Sequence, residues 1–341
     1  MDNIYEFFNG IYKNKRILIT GHSGFKGSWL SIWLKTLGAD VIGYSLEPDT
    51  NPNMFEICDI GNRIKNINGD VRDYEKLSSV IKKYEPDMVF HLAAQPLVRV
   101  SYEEPLLTYE TNIMGTANLL EACRNVKSIK SIVIITTDKC YENKESIYGY
   151  RETDPMGGYD PYSSSKGCAE LIVSAYRNSF YSKSKTALSS ARAGNVIGGG
   201  DWAKDRLIPD FIKYTLLGQN VIVRNPNAVR PWQYVLEPLS GYLHLGALMY
   251  NNASKYSSAW NFGPCDTDIL DVNHILRLAI KSFGKGNIQI DKNKQPHEAN
   301  LLKLDITKAR TYLKWKPVYN VQTAISKTMD WYKAYYNSNC N

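Results

Sequence analysis

The sequence predicts an α/β fold: a doubly wound parallel sheet with helices on both faces, followed by a smaller mixed α/β region. Two observations carry this prediction. Short β-branched apolar runs alternate with helical stretches through the first half of the chain, and beyond about residue 195 Gly, Pro and Trp become frequent while the alternation weakens. The expected division is therefore residues 1–194 as a nucleotide-binding unit and 195–341 as a substrate-binding unit, with ligands lying beyond the carboxyl ends of the strands.

The elements follow in order. Lys15–Thr20 (KRILIT) is a continuous apolar run, the signature of a strand covered on both faces. Trp29, Leu30, Ile32, Trp33, Leu34 and Leu37 then recur at helical spacing, and Gly38 ends that helix. Ala39–Tyr44 (ADVIGY), Met88–Ala93 (MVFHLA) and Ser131–Thr136 (SIVIIT) read as further strands, with helices around 73–84 and 105–125 between them.

Between the first strand and the first helix stands GHSGFKG, which sets Gly21, Gly24 and Gly27 at a three-residue stride. In a strand-to-helix turn one glycine allows the tight bend, another lets a phosphate reach the backbone, and a third lets helix and strand pack closely. The free N–H groups of the helix start then attract a diphosphate. Gly21, His22, Ser23, Gly24, Phe25 and Gly27 are thus the expected cofactor cradle. After the second strand an acid would bind the adenosine ribose and an arginine a 2′-phosphate. Here Ser45 holds the position, and no Arg or Lys occurs between residues 44 and 61, which favours NAD over NADP. Asp70 and Val71 in GDVRD fit an adenine-holding loop, and Leu92, Ala93 and Gln95 in HLAAQ would line the cofactor.

The chemistry falls in two short stretches. PYSSSK places Tyr162 and Lys166 four apart, on one helical face, where the lysine cation is expected to lower the tyrosine pKa and make it a base. TTDKCY, at the end of the 131–136 strand, offers the Thr137 hydroxyl to hold a substrate oxygen and Asp138 as an acid for a leaving hydroxyl, a requirement of elimination that plain redox chemistry lacks.

The bulk properties exclude other classes. The chain of 341 residues carries a dispersed net charge of +7, with no basic run or nucleic-acid motif. No apolar run approaches the roughly 18 residues of a membrane span, and the N-terminal stretch has no signal-peptide pattern. The six cysteines, at 58, 123, 140, 168, 265 and 340, lack metal-ligand spacing, so no metal is expected; reduced thiols in the cytoplasm fit them.

The Gly-x-x-Gly-x-x-Gly stride and the Tyr-x-x-x-Lys pair resemble the extended short-chain dehydrogenase/reductases, a Rossmann-type superfamily. GHSGFKGSWL, TDKCYEN, GYRETDPMGGYDPYSSSKGCAE, ARAGNVIGGGDWAKDRLIPD, RPWQYVLEPLSGYL and WNFGP resemble, within them, the CDP-glucose 4,6-dehydratase group. Most sugar-nucleotide 4,6-dehydratases carry Asp-Glu where this chain has Asp138-Lys139; the CDP-glucose group shares the lysine pattern, along with His22 and Lys26 in the glycine turn. The resemblance implies oxidation at the sugar's carbon 4, loss of water across carbons 5 and 6, and return of hydride to carbon 6, with NAD regenerated. It further implies that Asn195, Arg206, Arg230 and His297 face the substrate nucleotide, while Glu237 serves the fold.

Lys139 is left with two roles: a neutral amine base for the carbon-5 proton, or a cation that holds Asp138 and stabilises an enolate. Composition and spacing do not identify the nucleotide base, so dTDP-, UDP- and GDP-sugar dehydratases remain open, as does a nucleotide-sugar epimerase, which would need no Asp138. A non-catalytic NAD-binding regulator is disfavoured by the intact Tyr162 and Lys166. Apolar residues on two helices, Leu119 and Leu120 on one and Leu171, Ile172 and Val173 on the other, predict a homo-oligomer, a dimer or a tetramer.

Overall fold

The computed structural model describes residues 8–291, 293 and 300–338. Its centre is a seven-stranded sheet. Six strands come from the region before residue 195: β1 (Arg16–Thr20), β2 (Asp40–Ser45), β3 (Lys65–Asn68), β4 (Met88–His91), β5 (Ser131–Ile135) and β6 (Ala187–Ala193). The seventh, Ala259–Phe262, comes from the second half and pairs with β6, so the spatial order is Ala259–Phe262, β6, β5, β4, β1, β2, β3. Every pairing is parallel. Winding reverses between β1 and β4, which opens a crevice at their carboxyl ends.

The continuous apolar runs are explained by cover on both faces. Ile17 and Ile19 of β1 and Val133 and Ile135 of β5 enter one core, with Leu30 and Leu34 of the first helix. Leu18, Ile132 and Ile134, pointing the opposite way, enter the other with Leu77, Ile81 and Val173. The strands match their predicted positions to within two residues at each end. The first helix, Phe25–Thr36, starts earlier than its apolar spacing indicated, so Gly27 lies inside its first turn.

Two expectations change. The predicted 105–125 helix is interrupted: Pro105–Tyr109 and Gly115–Cys123 are joined by a wider turn at Glu110–Met114. Leu119, Leu120 and Val173 are fully buried in their own protomer, and Ile172 packs against the same core; of the five residues predicted for an interface only Leu171 is exposed. They belong to the helices' sheet-facing sides, which a helical stripe cannot distinguish from a partner-facing one.

Beyond residue 195 short strand pairs build the second side of the crevice. Val196–Ile197 pairs with Gln233–Tyr234, Asn220–Val223 with Asn287–Ile290, and Val229–Pro231 with Ile269–Asp271. Between them the helix Leu236–Asn251 returns to the sheet and sends Tyr242, Leu243 and Leu245 into its core. Glu237, away from the crevice, accepts the backbone N–H groups of Val318 and Tyr319 at 2.9 and 2.8 Å, which ties that helix to the C-terminal segment.

Candidate active site

The crevice is a cleft of about 830 Å³. One end is shaped by backbone. Gly21 has φ +74°, and a Cβ there would come 2.6 Å from the Ala93 nitrogen; one on Gly27 would collide with the Gly21 carbonyl oxygen. The two absent side chains let β1, the first helix and the Leu92–Ala93 segment meet with N–H groups open to the cleft. Gly21, Ser23, Gly24, Phe25 and Gly27 line it, as expected. The His22 ring does not: it is 1% exposed, bonded to the Asn66 side chain at 2.8 Å, edge-on to Phe55, and seated over the space a Gly43 side chain would occupy. Its backbone belongs to the turn, while its side chain anchors the turn to β2 and β3.

Ser45 lines the cleft, its hydroxyl donating to Ser23 Oγ at 2.8 Å. Asp70, Val71, Leu92, Ala93 and Gln95 line it too. Asp70 is held by Arg72 at 2.6 Å, which draws its carboxyl below the usual range. The Gln95 amide bonds Thr108 and the Leu97 carbonyl, so that side chain fixes its own loop. The sequence reading missed Glu47, which also lines the cleft, with its carboxylate accepting from Asn68 at 2.7 Å. The signal was present as the first acid after β2, displaced by two positions from the usual place. A backbone cradle, a ribose-side acid and no cation beside Ser45 fit a dinucleotide without a 2′-phosphate.

The other end holds the residues expected to carry the chemistry. β5 delivers Thr137, Asp138 and Lys139 at its carboxyl end, and the helix Pro161–Tyr176, started by Pro161 and capped by Asp160, delivers Tyr162. All four line the cleft together. Thr137 donates to Asp138 Oδ1 at 2.9 Å, while Asp138 Oδ2 has no partner among the described residues. Asp138 is 1% exposed, and burial raises its pKa against the pull of Lys139 and Thr137, which suits a carboxyl that must carry a proton. Lys139, half-buried, holds its ammonium 5.9 Å from the centre of the Tyr162 ring.

Lys166 lies one helical turn behind Tyr162, buried beneath the cleft wall, and burial pushes its pKa down to about 8 against the attraction of Glu170. The expected lowering of the Tyr162 pKa is reversed. Burial pushes it up to about 12, despite the hydrogen bond with Thr137. A buried phenol loses hydration in its charged form, and at this site that loss exceeds the help of Thr137 and Arg206.

On the second side, Asn195, Arg206 and Arg230 reach the cleft. Arg206 is aimed by Asp201 at 2.8 Å, and Arg230 by the Val229 carbonyl at 3.0 Å. His297 lies outside the described residues. Lys26, in the first turn of the first helix, also lines the cleft.

A seven-stranded parallel sheet with a glycine cradle at its switch point and a Tyr-x-x-x-Lys helix beside it defines a nucleotide-dependent enzyme of the short-chain dehydrogenase/reductase class. The model of the GDP-mannose 4,6 dehydratase family matches residues 18–328, and the chain belongs to that family. It is 51% identical over 330 residues to the CDP-glucose 4,6-dehydratase of Salmonella typhimurium, covering 95% of this chain and 92% of that protein. It is 28% identical to the CDP-paratose 2-epimerase of Salmonella typhi over 93% of this chain and 98% of the other. The fold superimposes on the crystal structure of the dTDP-glucose 4,6-dehydratase DesIV from Streptomyces venezuelae, with TM-score 0.82 and 23% identity over 95% of this chain and 98% of that one.

Proposed function

We propose that the protein converts CDP-glucose to CDP-4-dehydro-6-deoxyglucose. The observation that carries the reading is the meeting of Thr137, Asp138, Lys139 and Tyr162 on one wall of a cleft whose other end is the glycine cradle. Gly21, Ser23, Gly24, Phe25 and Gly27 would hold NAD, which would supply the hydride acceptor for the sugar's carbon 4 and the hydride donor for carbon 6. Tyr162, as the tyrosinate, takes the proton of the 4-hydroxyl, and Thr137 holds the same oxygen. The resulting ketone acidifies the hydrogen on carbon 5. Asp138 gives its proton to the departing 6-hydroxyl, and the Lys139 amine takes the carbon-5 proton. Arg206 and Arg230 bind the diphosphate, for which a planar guanidinium fork is suited. Asn195 completes that end of the site. The identity to the Salmonella enzyme supports CDP over other nucleotides.

The test is incubation with a panel of nucleotide hexoses and detection of water loss by mass. CDP-glucose should lose water without net reduced cofactor; an isomer of unchanged mass would establish an epimerase. In the same assay Lys139→Met should oxidise the sugar and stall before water loss, and full activity would make the position structural.

The substrate unit, on this reading, starts near residue 195 but is interrupted by Leu236–Phe262, which serves the sheet. We further infer a cytoplasmic homodimer supplying deoxysugars for cell-surface polysaccharide. Among the described residues no helix is long and apolar enough to cross a membrane. The packed helices carrying Ser164 and Tyr109, with the wider turn that follows Tyr109, leave Leu106, Met114 and Leu171 exposed, an apolar supply for a two-fold contact. A monomeric mass in solution at micromolar concentration would refute the dimer.

A further inference from the structure

Lys26 has an unusual setting. The first turn of a helix favours anions, because its N–H groups carry partial positive charge, yet this turn bears a lysine in the cleft wall. No hydrogen bond or ion pair joins its ammonium to the described residues; it stands 5.9 Å from the centre of the Tyr242 ring. Tyr242 is fully buried, and its hydroxyl has no partner among the described residues. Burial, together with repulsion from Lys166 and Arg206, pushes the Lys26 pKa down to about 8, while Asp138 opposes the shift. Both Asp138 and Tyr162 lie close enough to Tyr242 to raise its pKa. Lys26 lines the same cleft as Asp138 and Tyr162.

A half-buried cation without a counter-ion, near two further cations, is costly unless negative charge arrives with the ligand or develops in the reaction. Tyr162 creates such a demand, since burial opposes its ionised form. We propose that Lys26 is a further residue of the reacting centre, its ammonium stabilising negative charge shared by the sugar's carbon-4 oxygen and Tyr162 during the first proton transfer. The inference rests on the dehydratase reading above. It also accounts for a lysine where the turn itself needs only a side chain that fits.

The test compares wild type, Lys26→Met and Lys26→Arg. NAD and CDP binding are measured by calorimetry, sugar oxidation by single-turnover absorbance of the reduced nicotinamide, water loss by mass, and folding by denaturation midpoint. Lys26→Met should bind NAD and CDP within about threefold of wild type while oxidising the sugar ~10²-fold more slowly, the scale of one lost electrostatic stabiliser. Lys26→Arg, which keeps the charge, should recover at least about tenfold of that loss. Should Lys26→Met unfold, Lys26→Gln gives the same comparison. Oxidation within threefold of wild type, a deficit that disappears at saturating NAD, or an arginine variant as slow as the methionine one would overturn the proposal. Wild type that reduces its nicotinamide without releasing water would overturn the dehydratase reading instead, with the Lys26 comparison still readable in the same absorbance trace.

Discussion

Two sets of buried charge lie side by side in this protein. Between the Pro161–Tyr176 helix and β6, Glu170 and Arg192 meet at 2.6 Å, and Glu170 also accepts from Thr136 and Ser190. Arg192 goes on to Tyr141, which donates to Asn261, whose amide reaches the Tyr150 and Asp305 carbonyls. At the cleft, by contrast, Lys26 and Lys139 in its wall and Lys166 beneath it make no hydrogen bond or ion pair through their amines with the described residues. The first set consumes its own charge and fixes the end of β5 against the Pro161–Tyr176 helix. The second keeps its charge for something else. Within these two sets the paired groups serve the scaffold and the unpaired ones lie at the cleft, since a desolvated ion without a partner is costly to keep.

That contrast can be broken at its paired side first. Glu170→Ala leaves Arg192 buried without its carboxylate and should cost about 3–5 kcal/mol of unfolding free energy. Denaturant titration measures it, and a loss below about 1 kcal/mol would show the pair to be dispensable.

On the other side, Tyr162→Phe removes only an oxygen. Turnover should fall by ~10²-fold or more with NAD still bound and the denaturation midpoint unchanged. Near-normal turnover in the pure variant would remove Tyr162 from the mechanism.

His91 sharpens the comparison, because it is a titratable group that the fold keeps neutral. It is buried between the Thr20 hydroxyl at 2.7 Å and the Thr116 hydroxyl at 3.2 Å, and burial, with Lys166 nearby, pushes its pKa down to about 3. The unfolded chain takes up this proton near pH 6.5 and the folded one does not, so stability falls as the pH drops from about 6.5 toward 3. Between pH 6.5 and 5 the loss attributable to this group is about 2 kcal/mol. His91→Gln should flatten that part of the profile, and an unchanged acid slope would assign it to other groups.

Much of this was legible in the chain itself. Ile17–Ile19 and Ile132–Ile135 announce strands covered on both faces, because a strand with one wet face must alternate. Gly21 and Gly27 announce close backbone approach, because no other residue fits. Tyr162 and Lys166 share a helical face by spacing alone. Such features depend on near neighbours, and local sequence specifies them.

The rest depends on what distant segments bring. Whether Leu119, Leu120 and Val173 face a partner or their own sheet was settled by packing, since helical periodicity marks an apolar face without naming its occupant. His22 sits in a cofactor motif, yet its ring is directed inward by Asn66 and Gly43, some 20 to 45 positions away. The Tyr162 pKa is set chiefly by how completely the fold excludes water, against the lowering by the Thr137 hydrogen bond and Arg206. Sequence determined which groups are present and which backbone shapes they permit; tertiary structure decided which charges are paired and which are dry, because desolvation and pairing are properties of the whole surroundings of an atom.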